Sequence, residues 1–126
     1  MGLPGNALVV EDEDHVRLFV KLMLQQLGVA QIFEASNGKE ALEVYENVKP
    51  DVVLLDVNMP VMDGLETLDK IHKMDPDAVV IILTSLATRE TVESSAAKGA
   101  VQFIRKDVPR EAMSNLLVKT FDECFE

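Results

Sequence analysis

The stretch "PDVVLLDVNMPVMDG", residues 50–64, decides the fold that this sequence predicts. Its run Val52–Leu55 is apolar and valine-rich, which is typical of a parallel strand covered on both faces. The run stops at Asp56, and the turn pair Asp63-Gly64 follows shortly afterwards. A carboxylate at the end of such a strand is costly to bury unless a cation or a hydrogen-bond donor accompanies it. The stretch therefore predicts a buried strand that delivers an acidic side chain to a site.

Similar apolar runs occur elsewhere in the chain, with helical patterns between them. The continuous runs are 7–10, 52–55 and 79–83, and two more mixed ones are 31–35 and 101–105. Gly28 and Gly99 are placed to end the first and fourth helices. Asn37 is expected to cap the second helix, with Glu40 completing a pair of the capping-box kind, and Pro109 lies near the start of the fifth.

Strands and helices thus alternate along the whole chain. Such alternation implies right-handed crossovers and helices on both faces of one sheet. The three continuous apolar strands belong in the middle of the sheet, and the two mixed ones belong at its edges. This placement agrees with the strand order 2-1-3-4-5 of flavodoxin-like folds, so we predict an α/β fold of the flavodoxin-like (βα)5 type with a five-stranded parallel sheet in that order.

The length of 126 residues fits one domain with one core. We expect residues 1–126 to form this domain, with residues 1–6 as a loose N-terminal extension and no output domain in the chain. No apolar run reaches the roughly 18 residues of a membrane span, and the start lacks the features of a signal peptide. Cys124 is the only cysteine, which argues against a disulfide framework. These features predict a cytoplasmic protein that does not bind membranes.

The formal net charge is −10, which argues against direct binding of nucleic acid, because such binding needs clustered lysine and arginine. The charge is unevenly distributed. Residues 1–88 carry six basic and 15 acidic side chains, whereas residues 89–126 carry six and seven. This distribution favours a cation site in the front part of the chain and a protein-binding face in its last third.

Polar side chains follow four of the predicted strands: Glu11 and Asp12 the first, Asp56 the third, Thr84 the fourth and Lys106 the fifth. In a 2-1-3-4-5 sheet the first and third strands flank the switch point, so the three acids should meet there. Two unit charges about 4 Å apart repel by roughly 4 kcal/mol at an effective dielectric constant near 20, so the cluster needs cations. Lys106 supplies one, and the all-oxygen ligand set favours Mg²⁺ as another.

Each of these residues taken singly also has an ordinary structural explanation. The acidic run from Glu11 to Asp14, for example, suits the first turn of a helix, where the helix dipole favours negative charge. The inference rests on the convergence of all of them at one edge of the sheet.

The chain resembles the receiver domain of two-component response regulators, of the chemotaxis-regulator-like kind, over essentially its whole length. The resemblance is carried by "VVEDED" after strand 1, "DVNMPVMDG" after strand 3, "TS" after strand 4 and "FIRK" in strand 5. It implies that Asp56 accepts a phosphoryl group from a histidine kinase or a phosphotransfer histidine. It also implies a Mg²⁺ ion, for which Mn²⁺ could substitute, held by Glu11, Asp12, Asp56 and the backbone carbonyl of Asn58.

The resemblance further implies a switch. Thr84 would donate its hydroxyl to a phosphoryl oxygen and Lys106 would pair with another, while Phe103 turns inward. The face formed by helix 4, strand 5 and helix 5 would then change and control a partner or an output domain. A phosphorylation-dependent homodimer is a further expectation. The chain would not be an enzyme for other substrates, since its chemistry is self-phosphorylation and slow autodephosphorylation at Asp56.

Three positions depart from the family pattern or add to it. Glu11 stands where an aspartate is more usual. Lys106 is followed by Asp107 where the family has a proline and a cis bond, and a non-proline cis bond costs about 2.5–4 kcal/mol. We therefore expect either a trans bond with a rearranged loop or a strained cis bond. Leu86, two residues past Thr84, is expected to shield the phosphoryl group and slow its hydrolysis.

Other functions compete with this interpretation. A receiver-fold module could bind partners without ever being phosphorylated. A phosphatase of the haloacid-dehalogenase kind also uses Asp, Mg²⁺ and Lys, but it needs a second aspartate where this chain has Asn58. A flavin-binding module would need a phosphate-binding loop rich in serine and threonine after strand 1, which the sequence lacks.

Overall fold

The computed structural model describes residues 2–125 and shows a single five-stranded parallel sheet in the order β2-β1-β3-β4-β5. The predicted flavodoxin-like fold and strand order are confirmed. The five strands and five helices alternate along the chain as β1 (Asn6–Val10), α1 (Asp14–Leu27), β2 (Gln31–Ala35), α2 (Gly38–Val48), β3 (Val52–Leu55), α3 (Gly64–Met74), β4 (Val80–Thr84), α4 (Arg89–Ala97), β5 (Gln102–Arg105) and α5 (Arg110–Cys124).

The central strands are apolar almost throughout, with only Asn6 of β1 and Thr84 of β4 polar, and helices cover the sheet on both faces. Alternate residues of β1, β3 and β4 point to opposite sides, as in any strand. One set packs against the apolar stripes of α1 and α5, and the other packs against those of α2 and α3. Val52–Leu55 is buried throughout, so β3 lies in the middle of the core.

The helix ends follow the predicted signals, with one difference. Gly28 and Gly99 adopt the left-handed backbone conformation, with φ of 104° and 97°, and each follows the end of a helix. The side chain of Asn37 accepts a hydrogen bond from the Glu40 N–H, as expected of a cap. The Glu40 carboxylate, however, accepts from the Ser36 hydroxyl at 3.0 Å, so the pair lacks the return bond to Asn37.

Residues 2–6 differ from the loose extension expected from the sequence. The Gly2 N–H donates to the Asp122 carboxylate at 2.8 Å, Leu3 packs against the core on the α1 and α5 side, and Pro4 is buried. Asn6 already belongs to β1. The apolar side chains at 3 and 4 cover the end of the core, which holds this segment in place. Met1 lies outside the described residues.

None of the helices in residues 2–125 is both long enough and apolar enough to cross a lipid bilayer.

Candidate functional site

Strand register brings the predicted acidic residues together at the carboxyl edge of the sheet. Val10 of β1 pairs with Leu55 of β3, and the Asp56 N–H donates to the Val10 carbonyl at 3.1 Å. The next residues along each strand, Glu11 and Asp56, are therefore neighbours, and Asp12 follows. Carboxylate oxygens of the three residues all lie within 4.8 Å of one another, as predicted. Glu11 and Asp56 are buried, whereas Asp12 is exposed.

Lys106 reaches this cluster from the far side of β4. Its backbone N–H donates to the Thr84 carbonyl at 3.0 Å, which fixes where the side chain leaves the end of β5. Its ammonium lies 3.1 Å from Asp56 Oδ2 and also contacts the Glu11 carboxylate. The cation expected among the acids is therefore present, and it touches two of the three.

Burial and ion pairing have opposing effects on the pKa values of Glu11 and Lys106. Burial raises the pKa of the Glu11 carboxyl, although Lys106 and the Glu13 N–H act in the opposite direction. Burial alone would lower the pKa of Lys106, but its hydrogen bond with Glu11 and the nearby Asp56 charge outweigh that effect and raise it. Lys106 is therefore a firmly held cation, and the cluster has one lysine for three carboxyl groups, of which it contacts Glu11 and Asp56.

The Glu11 carboxylate has two local partners. One oxygen contacts Lys106, and the other accepts from the Glu13 N–H at 3.1 Å, where α1 begins. Asp12, by contrast, projects its carboxylate at the exposed mouth of the cluster. Hard divalent cations prefer carboxylate oxygens such as these, so the side chains present fit a Mg²⁺ ion.

The loop after Asp56 is held by close backbone contacts. The Gly64 N–H donates to the Val57 carbonyl at 2.8 Å, and a β-carbon at Gly64 would lie 2.1 Å from the Asp56 carbonyl oxygen. Only glycine can approach the Asp56 backbone so closely. The Asp63 side chain accepts from the Glu66 N–H at 2.9 Å and caps α3. This explains why the Asp63-Gly64 pair ends the loop.

One feature of this loop was not predicted. The Met62 N–H donates to the Pro60 carbonyl at 2.7 Å, so a three-residue turn closes around Val61. Val61 has φ of 70°, a conformation that is unfavourable for a β-branched residue. Proline before it and the Asp63-Gly64 pair after it are compatible with a tight turn, but the sequence does not reveal the strained residue.

The two predicted switch residues lie on the same face of the sheet. Ile82 pairs with Phe103, and Thr84 stands two residues beyond Ile82, so the three side chains point the same way. Thr84 is completely buried, and its hydroxyl oxygen accepts from the Leu86 N–H at 3.1 Å. Phe103 is partly buried against the core on the α2 and α3 side.

Residues 7–118 match the family model of the response regulator receiver domain. The chain belongs to this family. The resemblance to response regulator receiver domains, inferred from the motifs, is thus confirmed, together with the assignment to two-component signalling.

Named relatives of this receiver domain include chemotaxis proteins. It is 38% identical to the chemotaxis protein CheY of Listeria monocytogenes over 112 residues, covering 89% of this chain and 94% of that one. It superimposes with a TM-score of 0.88 on a chain in the CheX–CheY–BeF3–Mg complex from Borrelia burgdorferi, at 31% identity, covering 94% of this chain and 90% of that one. It also superimposes on the Thermotoga maritima response regulator TrrA in complex with Mg²⁺ and BeF. The TM-score is 0.81 at 34% identity, and the match covers 91% of this chain and 97% of that one.

This receiver domain keeps its lysine in place despite Asp107. All peptide bonds of the described residues are trans, so the Lys106–Asp107 bond is trans and the cis alternative is wrong. The Asp107 carboxylate pairs with the Arg105 guanidinium through contacts of 3.0 and 2.6 Å. This pair lies on the exposed surface and leaves Lys106 free to reach the acids.

A contact that the sequence did not predict supports the loop that carries the acids. Arg17 of α1 donates to the backbone carbonyl of Glu11 at 2.7 Å. An arginine on the first helix of such a domain carries no sequence signal that distinguishes it from a surface residue. Its role is visible only once the backbone of β1 and the turn of α1 are placed together.

Proposed function

We propose that this receiver domain is a phosphorylation-activated switch whose phosphoacceptor is Asp56. The observation that carries the proposal is the cluster of Glu11, Asp12 and Asp56 oxygens within 4.8 Å, with Lys106 bound to two of the three. Three carboxyl groups and one ammonium leave negative charge uncompensated, which a divalent cation would balance. Phosphoryl transfer depends on this kind of charge stabilisation and on in-line positioning.

In the proposed step, an Asp56 carboxylate oxygen attacks the phosphorus of a phosphohistidine on a histidine kinase or a phosphotransfer protein. A P–O bond forms, the P–N bond breaks, and the imidazole leaves with its electron pair and takes up a proton. Glu11, Asp12, Asp56 and the Asn58 carbonyl would hold Mg²⁺, or Mn²⁺ in its place. The ion would supply positive charge beside the phosphoryl oxygens.

Lys106 would stabilise the charge on a second phosphoryl oxygen, because its ammonium already lies beside Asp56. Two similar structures support this role, since each is a complex with magnesium and a beryllium fluoride. Beryllium fluoride has the shape and charge of a phosphoryl group. The chemistry would stop at self-phosphorylation and slow loss of the phosphoryl group.

The conformational change would begin at Thr84. Its hydroxyl, which accepts from the Leu86 N–H, would turn to donate to the phosphoryl group and would draw the following loop inward. Phe103, on the same sheet face, would fill the space that is left. The α4, β5 and α5 surface would then present a changed face to an output partner or to a second copy of the chain. Val92 and Val101 already expose apolar surface there.

The test of this proposal uses Asp56→Asn. Purified protein is incubated with Mg²⁺ and a small acyl phosphate or phosphoramidate, and intact mass is measured. We expect wild-type protein to gain the mass of one phosphoryl group, and we expect neither Asp56→Asn nor wild type in excess chelator to gain it. An equal adduct on the variant would contradict the proposal, and no adduct on the wild type would favour a module that binds partners without phosphorylation. Release of free phosphate with rapid turnover would instead indicate a phosphatase.

Leu86→Ala should shorten the lifetime of the phosphoryl group on Asp56. Leu86 exposes 41% of its surface, and its backbone N–H donates to the Thr84 hydroxyl. We infer that its side chain shields the phosphoryl group from water. Removing that side chain should admit water more easily and speed hydrolysis. The decay of phosphoprotein after removal of the donor measures this, with Val92→Ala on α4 as an exposed apolar control. A lifetime that is longer in Leu86→Ala than in wild type would count against shielding.

A further inference from the structure

Arg17 joins the loop that carries two of the acids to the neighbouring edge of the sheet. Its guanidinium donates to the Glu11 carbonyl at 2.7 Å, to Asp14 at 2.6 Å and to Glu34 of β2 at 3.2 Å. Although arginine is usually exposed, this side chain keeps only 17% of its surface accessible. The three acceptors use the fixed fork of an arginine, which a lysine cannot reproduce.

The contact between Arg17 and the Glu11 carbonyl lies where it can orient the acidic side chains. The Glu11 carbonyl belongs to the peptide that links Glu11 to Asp12, so its orientation fixes the direction in which both side chains leave the backbone. On the other side, the Glu11 N–H donates to the Ala35 carbonyl at 3.0 Å. The peptide units on both sides of Glu11 are therefore tied to β2, one directly and the other through Arg17 and Glu34.

We propose that Arg17 is a positioning residue for the cation-binding acids. It holds the Glu11–Asp12 peptide so that both carboxylates face Asp56, without itself touching the phosphoryl group. This inference rests on the proposed function, because it assumes that the acids bind Mg²⁺. The hydrogen bonds involved are charge-assisted, which makes them about twice as strong as those between neutral groups.

Electrostatics alone predicts the opposite effect. Arg17 is a cation close to the cluster, so if its charge were all that mattered, removing it would strengthen the binding of another cation. If it positions the acids, removing it weakens that binding, because the carboxylates no longer converge. The sign of the change in Mg²⁺ affinity therefore separates the two roles.

The chain offers a matched control in Lys21. It stands one helical turn after Arg17 and also pairs with Glu34, at 3.2 Å, but it does not contact the Glu11 carbonyl. Arg17→Met and Lys21→Met each remove one positive charge and one ion pair with Glu34. Only the first also removes the ion pair with Asp14 and the support of the Glu11–Asp12 peptide.

The experiment measures the Mg²⁺ dissociation constant of the unphosphorylated full chain by titration calorimetry. For Arg17→Met we expect binding about tenfold weaker or more, the usual effect of losing a residue that orients metal ligands. For Lys21→Met we expect binding unchanged or slightly tighter. Arg17→Lys, which keeps the charge and loses the fork, should also bind Mg²⁺ more weakly than wild type.

Thermal unfolding in chelator establishes that each variant is folded at the temperature of the titration. Should Arg17→Met be unfolded there, Arg17→Lys carries the same test. Mg²⁺ binding by folded Arg17→Met or Arg17→Lys that is as tight as in wild type overturns the inference and leaves the proposed function intact. Wild-type protein that does not bind Mg²⁺ overturns the proposed function and this inference with it.

Discussion

Lys106→Met is expected to lower the free energy of unfolding of the metal-free protein by about 3 kcal/mol or more, because it leaves buried carboxylates without their cation. The side chains of Glu11 and Asp56 expose only 3% and 7% of their surface, and the ammonium of Lys106 contacts both. Methionine keeps the length and most of the packing of the lysine side chain. The loss of stability is therefore due to the missing charge. Urea unfolding in the presence of chelator measures the free energy of unfolding of both proteins.

Magnesium should reverse much of this loss. A divalent cation that binds among the acids replaces the missing positive charge, and the repulsion between the ion and the lysine is removed as well. Mg²⁺ should therefore bind Lys106→Met more tightly than wild type and stabilise it by a larger amount. The difference in stability between the two proteins should narrow as Mg²⁺ is added.

The effect should also depend on pH. Lys106 lowers the pKa of Glu11, which burial raises, so its removal moves the pKa in the folded state further above the unfolded value. Between these two pKa values the folded state binds more protons, so stability falls as pH rises. Glu11 should therefore contribute fully to the stability loss of Lys106→Met at pH values above the pKa of Glu11 in the folded variant. It should contribute nothing at pH values below its pKa in the unfolded chain.

Lys73→Met is the matched control for this prediction. Lys73 pairs with Asp69 at 3.3 Å on the surface of α3, with 75% of its side chain exposed. Its replacement should change the free energy of unfolding by no more than about 0.5 kcal/mol. Equal losses in the two variants, or a deficit that Mg²⁺ does not reduce, would show that Lys106 does not neutralise the cluster.

The sequence predicted those parts of the site that depend on strand order. Glu11, Asp56 and Lys106 each directly follow a predicted strand, and parallel strands bring their carboxyl ends to one edge. In the order 2-1-3-4-5, β1 and β3 are neighbours, so Glu11 and Asp56 meet directly, whereas Lys106 follows β5 and reaches them across β4 with its long side chain. This is why residues 95 positions apart in the chain could be placed together.

The contacts that the sequence did not predict depend on side-chain paths and on backbone detail. Arg17 reaches the Glu11 carbonyl through the geometry of one helical turn, which has no signature in residue type. Val61 is strained because Pro60 and Met62 close a turn around it, although valine itself disfavours that conformation. Leu3 lies against the core through tertiary packing alone.

Gly64→Ala is expected to lower the free energy of unfolding by about 1–2 kcal/mol and to slow phosphorylation of Asp56 by a large factor. A β-carbon at this position would lie 2.1 Å from the Asp56 carbonyl oxygen and 2.7 Å from Val57 Cα. Both are backbone atoms, so the strand end or the start of α3 must move. Overpacking of this kind typically costs about 1–3 kcal/mol, and it exceeds the gain of roughly 1 kcal/mol that alanine brings to a helix.

The displaced atoms belong to the proposed phosphoacceptor, so stability and chemistry should change together. A shift of about 1 Å in a reacting group can slow a reaction by about a hundredfold. The rate of the mass increase from a small phosphodonor measures this at a temperature where the variant is folded. Gly5→Ala is the control, since a β-carbon there would meet only one atom, a side-chain oxygen of Asp51 at 3.1 Å, and no backbone atom. If Gly64→Ala loses stability but is phosphorylated at the wild-type rate, the movement occurs in α3, and the position of Asp56 does not depend on this glycine.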